Sequence, residues 1–117
     1  MPEIYAKITP QGEVSLVEIN SYEDLQYHVE GFITSVPVRT DKTIPAESTV
    51  YANDEGLLIG LAPNAVAQAV TGYPYLVGNV LIGGEVDDDG DTKNVNPDTV
   101  AKLHEASRRM SHGMELV

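Results

Sequence analysis

Residues 76–82 are Leu-Val-Gly-Asn-Val-Leu-Ile, the most apolar stretch of the sequence, and Gly83-Gly84 follows them. A short apolar run that ends in turn residues is typical of a strand buried on both faces. We therefore predict that residues 76–82 form the central strand of a sheet. The rest of the fold then depends on which segments pair with this strand.

A β-hairpin is predicted at the start of the chain. Apolar and polar side chains alternate over residues 4–9, which is the period of a half-buried strand. Residues 10–12, Pro-Gln-Gly, favour a turn, and residues 13–19 form the returning strand. The sequence thus predicts an N-terminal hairpin over residues 4–19.

Three helices are predicted from their capping signals. Ser21 is placed to cap a first helix, which Gly31 ends. Asn64 precedes a short helix of small side chains over residues 65–70. An Asn-Pro pair then begins an amphipathic helix over residues 97–110.

The remaining segments complete a small α+β domain. A polar loop is expected over residues 39–48. Three further strands are predicted, over residues 32–38, 49–53 and 57–61. The fold class that follows is α+β, a single domain over residues 1–117 with its core over about 22–103. It has about six mainly antiparallel strands and two to three helices.

The charge of the chain excludes several classes of partner. Its 117 residues carry eighteen acids against seven Lys plus Arg, a net charge of −11. Such a body repels phosphate backbones and anionic membranes, so we expect no direct nucleic-acid or membrane binding. The absence of Cys excludes disulfides and thiolate chemistry. With no visible leader or membrane span, we expect a cytoplasmic location.

No catalytic or metal-binding motif stands out. There is no Gly-x-Ser-x-Gly elbow and no phosphate-binding loop, so we predict that the protein is not an enzyme. His28, His104 and His112 lack partners at ligand spacing, and we expect no metal and no cofactor. The acidic run at residues 87–91 resembles part of an EF-hand loop, but Asn96 stands where the closing Glu belongs. Calcium binding is therefore kept only as an alternative.

A small nucleotide-binding site is the constellation that the residue types favour. Tyrosines offer stacking surfaces, Asn amides offer donors and acceptors, and one cation offers charge. The alternative is that the asparagines only shape turns. We expect any such pocket to form between the protomers of a homo-oligomer. The candidate ligand-binding residues are Arg39, Tyr51, Asn53, Asn64, Tyr73 and Tyr75.

Four motifs follow one another in the middle of the chain. They are Val-Glu-Gly-Phe-Ile with Val-Pro-Val within residues 29–38, Asn-Asp-Glu-Gly at 53–56, Gly-Leu-Ala-Pro-Asn at 60–64 with Ala67, and Val-Gly-Asn-Val-Leu-Ile at 77–82. Together they resemble the DUF3846 family over about residues 22–103. Ala65 stands where that family commonly shows a basic residue.

The resemblance implies a small protein of bacteriophages or mobile elements with no assigned catalytic residues. We expect a non-enzymatic accessory protein that antagonises a host defence in the host cytoplasm. It would sequester a nucleotide-like immune signal or capture a host defence protein. The alternative is an acidic nucleic-acid mimic that blocks a DNA-binding host factor, which requires carboxylates in a continuous stripe.

Overall fold

The chain folds as one antiparallel five-stranded sheet with helices on both faces. The computed structural model describes residues 2–39 and 43–115. The elements in chain order are β1 (Glu3–Ile8), β2 (Val14–Ile19), α1 (Tyr22–Val29), β3 (Ile33–Ser35), β4 (Thr49–Asn53), α2 (Ala65–Thr71), β5 (Val80–Gly83) and α3 (Pro97–Glu115). The predicted α+β class is confirmed.

The strand order β2-β1-β5-β4-β3 places β5 at the centre of the sheet, as predicted. Ala6 of β1 and Val50 of β4 both pair with Ile82, one from each side. All four residues of β5 are buried. The N-terminal hairpin is also confirmed, and a hydrogen bond from the Thr9 amide to the Glu13 carbonyl (3.0 Å) closes its turn.

Two hydrophobic clusters cover the two faces of the sheet. Because side chains alternate along a strand, the neighbouring residues Leu81 and Ile82 point to opposite faces of the sheet and pack in different clusters. Ile82 packs in the larger cluster, which contains residues of α2 and α3 such as Val70 and Leu103. Leu81 packs in the smaller cluster under α1, with Leu25 and Val29. Among the helices of the described ranges, none has the length and apolarity that crossing a bilayer requires.

The first helix begins as predicted but ends one residue early. The Ser21 hydroxyl accepts a hydrogen bond from the Asp24 amide, which is an N-cap contact. The left-handed C-cap is Glu30 (φ 64°), and Gly31 follows it. A Cβ at Gly31 would lie 2.6 Å from Nδ2 of Asn53. This glycine therefore permits close packing against β4 and does not supply the left-handed cap.

The strand predicted over residues 57–61 is wrong. This segment folds into consecutive turns, because the Ile59 amide donates to Glu55 O (3.0 Å) and the Leu61 amide donates to Gly56 O (2.9 Å). The sheet consequently has five strands. The apolar side chains of the segment suggested burial, but Leu57 and its two successors are exposed.

Two other predicted strands are shorter than expected. The strand predicted over residues 76–82 begins only at Val80, because Gly78 adopts φ +72°, outside the strand conformation. The strand predicted over residues 32–38 is reduced to β3. Pro37 has no amide hydrogen to continue a ladder. The predicted polar loop over residues 39–48 lies partly outside the described residues.

Candidate functional site

A cavity of about 360 Å³ opens where β3 and β4 meet two loops. Its strand residues are 34–35 and 52–53, Val36 follows β3, and the loop residues are 54–58, 73 and 75–77. The volume lies within the range of small-ligand sites. We expected a pocket between protomers, whereas this cavity is formed by one chain.

The first loop of the cavity is organised by Asn53, at the end of β4. Its Oδ1 accepts a hydrogen bond from the Glu55 amide (2.8 Å), and its Nδ2 donates to the carbonyls of Val29 and Glu30 (3.0 and 3.2 Å). A Cβ at Gly56 would lie 2.6 Å from a methyl of Val77, so the loop packs closely against the second loop. The turns that follow are closed by the hydrogen bonds from the Ile59 and Leu61 amides to Glu55 O and Gly56 O.

The second loop leaves α2 through a left-handed glycine, Gly72 (φ 78°). The Tyr73 amide then donates to the hydroxyl oxygen of Thr71 (3.1 Å). The rings of Tyr73 and Tyr75 meet edge to face, with centroids 6.0 Å apart and planes at 81°. This edge-to-face contact is a favourable arrangement for two aromatic rings.

Four large side chains around the cavity are exposed, and we call them the apolar rim: Leu57, Leu58, Tyr73 and Tyr75. Leu58 is 82% exposed, Leu57 65%, Tyr75 63% and Tyr73 37%. Scattered exposed apolar residues are normal, but these four line one cavity, and such clustering is typical of an interaction site. The candidate residues Tyr73 and Tyr75 therefore lie at the cavity, whereas Leu57 and Leu58 were assigned to the strand predicted over residues 57–61.

The charge at the cavity is negative. Among the described residues that line it, the charged ones are Asp54 and Glu55, both exposed, and none is a cation. Arg39 was expected to contribute positive charge here but is not part of the lining. It is exposed, and its backbone amide donates to Thr71 O at the end of α2 (3.0 Å).

The two candidate asparagines are held by internal hydrogen bonds. Asn64 is fully buried, its Nδ2 donates to Ile8 O and Gly78 O (both 2.9 Å), and its Oδ1 caps α2 at the Ala67 amide (3.1 Å). Asn64 therefore presents no polar atom to a ligand at the surface. Asn53 does line the cavity, but both hydrogens of its amide are already directed to backbone carbonyls.

Tyr51 does not line the cavity, although it was expected to share a site with the other candidate residues. It packs against the smaller cluster under α1, and its ring lies 6.1 Å from that of Tyr5 with planes at 30°. Alternation along β4 directs Ala52 towards the larger cluster and Tyr51 away from it. Of the six candidate residues, the structure brings together Asn53, Tyr73 and Tyr75.

A family model matches most of the chain. The model of a domain of unknown function, DUF3846, covers residues 5–108. The chain belongs to the DUF3846 family. The match extends beyond the motifs at residues 22–103 and includes most of the N-terminal hairpin and most of α3. None of the curated proteins and none of the solved structures that were compared with the chain matches it.

The strongest pKa shifts in this DUF3846 protein lie away from the cavity. Burial raises the pKa of Tyr5 to about 12, against a lowering contribution from a hydrogen bond with Thr92. Burial lowers the pKa of His28 below 6.5, and the nearby Lys7 lowers it further, with Nζ 3.3 Å from the His28 Nδ1. Neither Tyr5 nor His28 lines the cavity.

The acidic run of this DUF3846 protein forms a turn. Oδ1 of Asp87 accepts hydrogen bonds from the amides of Asp89 and Asp91 (2.9 and 3.0 Å). Among the side chains that the structure describes, residues 2–39 and 43–110, no three His, Asp or Glu are grouped so that they could hold a metal ion. The geometry gives the calcium alternative no support.

The residues that sequence reasoning missed are Leu57 and Leu58. They follow Gly56 and precede Gly60, so a run of apolar residues is enclosed between two glycines. That pattern is also compatible with a tight loop that presents its side chains outward. The closely spaced glycines on both sides of this apolar run were the feature of the sequence that could have indicated an exposed loop.

Proposed function

We propose that this DUF3846 protein is a non-catalytic binding protein that captures a segment of another protein at the cavity. The observation that carries the proposal is the apolar rim, because its large side chains are exposed on two loops held by internal contacts. Loops whose backbone is already held by hydrogen bonds lose little conformational entropy on binding. Tyrosines are among the usual anchors of protein interfaces, and the two leucines add apolar surface beside them.

Nucleotide capture is less favoured by the same geometry. Tyr73 and Tyr75 offer rings for stacking, but Asp54 and Glu55 are the charged side chains of the lining. Two carboxylates repel a phosphate, and no lining residue in the described part of the chain carries a compensating positive charge. A protein segment that carries a Lys or Arg gains from the same two charges.

Nucleic-acid mimicry is not favoured by the distribution of the acids. Exposed carboxylates lie on α1 at Glu23, on the opposite face at Asp98 and Glu105 of α3, and at the β2 edge at Glu18. A mimic requires them in one continuous stripe. The family resemblance makes a host defence protein in the bacterial cytoplasm our preferred partner, and that partner would carry the captured segment.

A peptide-display selection tests the proposal. The whole protein is used to select from a library of random linear peptides, and we expect enrichment of peptides that combine apolar residues with Lys or Arg. Tyr73→Ala together with Tyr75→Ala should weaken their binding by at least about tenfold, because aromatic anchors dominate interface energies. The matched control is Tyr22→Ala with Tyr27→Ala, two exposed tyrosines on α1.

Charge is tested in the same assay. Asp54→Asn with Glu55→Gln should lower the affinity for the selected peptides. Asp88→Asn with Asp89→Asn removes the same charge outside the cavity lining and should leave that affinity unchanged. Calorimetry with cyclic nucleotides and ADP-ribose should give no heat. Binding of those nucleotides that depends on Tyr73 and Tyr75, or a selection that enriches no peptide, would overturn the proposal.

A further inference from the structure

Among the described residues, no strand pairs with the outer edge of β3, beside the cavity. The strand order ends at β3, whose ladder partner is β4. In an antiparallel pair, the peptide groups of alternate residues point to the partner strand and those between them point away. The Asp54 amide donates to Phe32 O (2.8 Å) and the Val36 amide donates to Val50 O (2.9 Å). The peptide groups of Ile33 and Ser35 consequently point outward.

The outward groups of β3 offer two amide hydrogens and two carbonyl oxygens to a further strand. Pro37 has no amide hydrogen at the next outward position, so the pairing that β3 can offer ends there. The same stretch borders the cavity, since Thr34, Ser35 and Val36 are among its lining residues. A strand added to this edge would therefore have alternate side chains beside the apolar rim.

We propose that the captured segment binds as an extended strand added to the free edge of β3, an inference that rests on the proposed function. Main-chain hydrogen bonds to Ile33 and Ser35 supply register, and alternate apolar side chains of the segment contact the rim. This is the mode in which an extended peptide extends a sheet while neighbouring pockets supply specificity.

Charge complementarity identifies the chemistry of the occupant. Asp54 and Glu55 lie at the end of the β3–β4 pair, beside Phe32, and Glu30 is exposed just before β3. A segment with alternating apolar residues and a Lys or Arg at the end near Asp54 matches this surface. A second copy of the chain fits less well, because each copy carries a net charge of −11. The predicted homo-oligomer stays a prediction.

The test is an N-methyl scan of one peptide enriched by the selection, measured by fluorescence polarisation with the whole protein. Methylation of a backbone amide removes one hydrogen-bond donor and keeps every side chain. If the peptide adds to β3, alternate positions should each lose about fivefold in affinity and the positions between them should lose little.

A variant of the edge provides the second measurement. Ser35→Pro removes one outward amide hydrogen and no bond to β4, so the fold should be retained, as a thermal melt can show. The Ser35→Pro variant should bind the peptide with about fivefold lower affinity. Ser35→Ala, which keeps the amide, is the matched control and should bind as the unmodified protein does. Leu16→Pro on β2, the other sheet edge, should also leave binding unchanged.

The outcomes separate the two proposals. An N-methyl response without period two, or equal affinity of the Ser35→Pro and Ser35→Ala variants, overturns strand addition. If such a peptide still needs Tyr73 and Tyr75, the proposed function stands. Sedimentation showing a dimer that Ser35→Pro dissociates would assign the edge to a second copy and overturn the inference.

Discussion

Replacing Asn64 by Ala should lower the free energy of unfolding by about 3 kcal/mol. The side chain is fully buried and makes three hydrogen bonds, which join the end of β1, the segment before β5 and the start of α2. Loss of the N-cap costs about 1 kcal/mol, and each of the two buried bonds to carbonyls costs about the same. The sum is a large share of the roughly 5–15 kcal/mol that stabilises a domain.

A variant of a second asparagine, Asn96, separates the stability that Asn64 contributes as a helix cap from the stability that it contributes by joining distant segments. Oδ1 of Asn96 accepts a hydrogen bond from the Asp98 amide (2.8 Å) at the start of α3, but Asn96 is exposed. Asn96→Ala therefore removes a cap alone and should cost about 1 kcal/mol. The difference between the two variants, about 2 kcal/mol, measures the two bonds that Asn64 donates to carbonyls.

Urea unfolding followed by far-ultraviolet circular dichroism measures both variants. Because the two proteins should expose similar surface on unfolding, their dependence on urea should have the same slope, and the midpoints report the difference directly. If Asn64→Ala costs no more than Asn96→Ala, the cross-link contributes nothing and our reading of Asn64 as a structural residue is refuted.

Three further predictions concern stability. Because the folded pKa of His28 lies below 6.5, the unfolded chain binds the proton more readily, and stability should fall as the pH drops through 6.5. His28→Gln should remove that component in urea titrations at several pH values, and an unchanged profile would contradict it. Gly84→Ala should cost more than about 2 kcal/mol, because its Cβ would lie 2.6 and 2.8 Å from two backbone carbonyls. Gly90→Ala, with φ +85° and open space, should cost about 1 kcal/mol, so equal midpoints would refute the clash. Calcium should leave the melting temperature as it is in chelator, because Asp87 accepts backbone amides in a turn, and a rise of several degrees would show a site.

The sequence predicted the regular elements well where local chemistry determines them. Alternation over β1 and β2 gave the hairpin, and caps at Ser21 and Asn64 marked the starts of α1 and α2. It failed where burial had to be assumed. The apolar residues around Leu58 predict a strand only if they face a core, and the glycines that flank them are compatible with a strand as well as with a loop whose side chains face outward.

The candidate site was predictable in part for a related reason. Tyr73 and Tyr75 follow a helix stop, so their exposure in a loop could be inferred. The roles of the asparagines could not, because an amide that caps a helix and one that contacts a ligand have the same identity in a sequence. Only the positions of Ile8 and Gly78, distant in the chain, reveal that Asn64 is a cross-link.

The central position of β5 has a consequence for biosynthesis. The β1–β2 hairpin and the β3–β4 pair have no direct ladder between them, and each is joined to the sheet through β5. During synthesis on a ribosome, both pairs emerge before residues 80–83, so β1 and β4 each lack β5 as a neighbouring strand until then. Because the joining contacts, such as Ala6 with Ile82, are distant in the chain, the nascent sheet closes late and cooperatively.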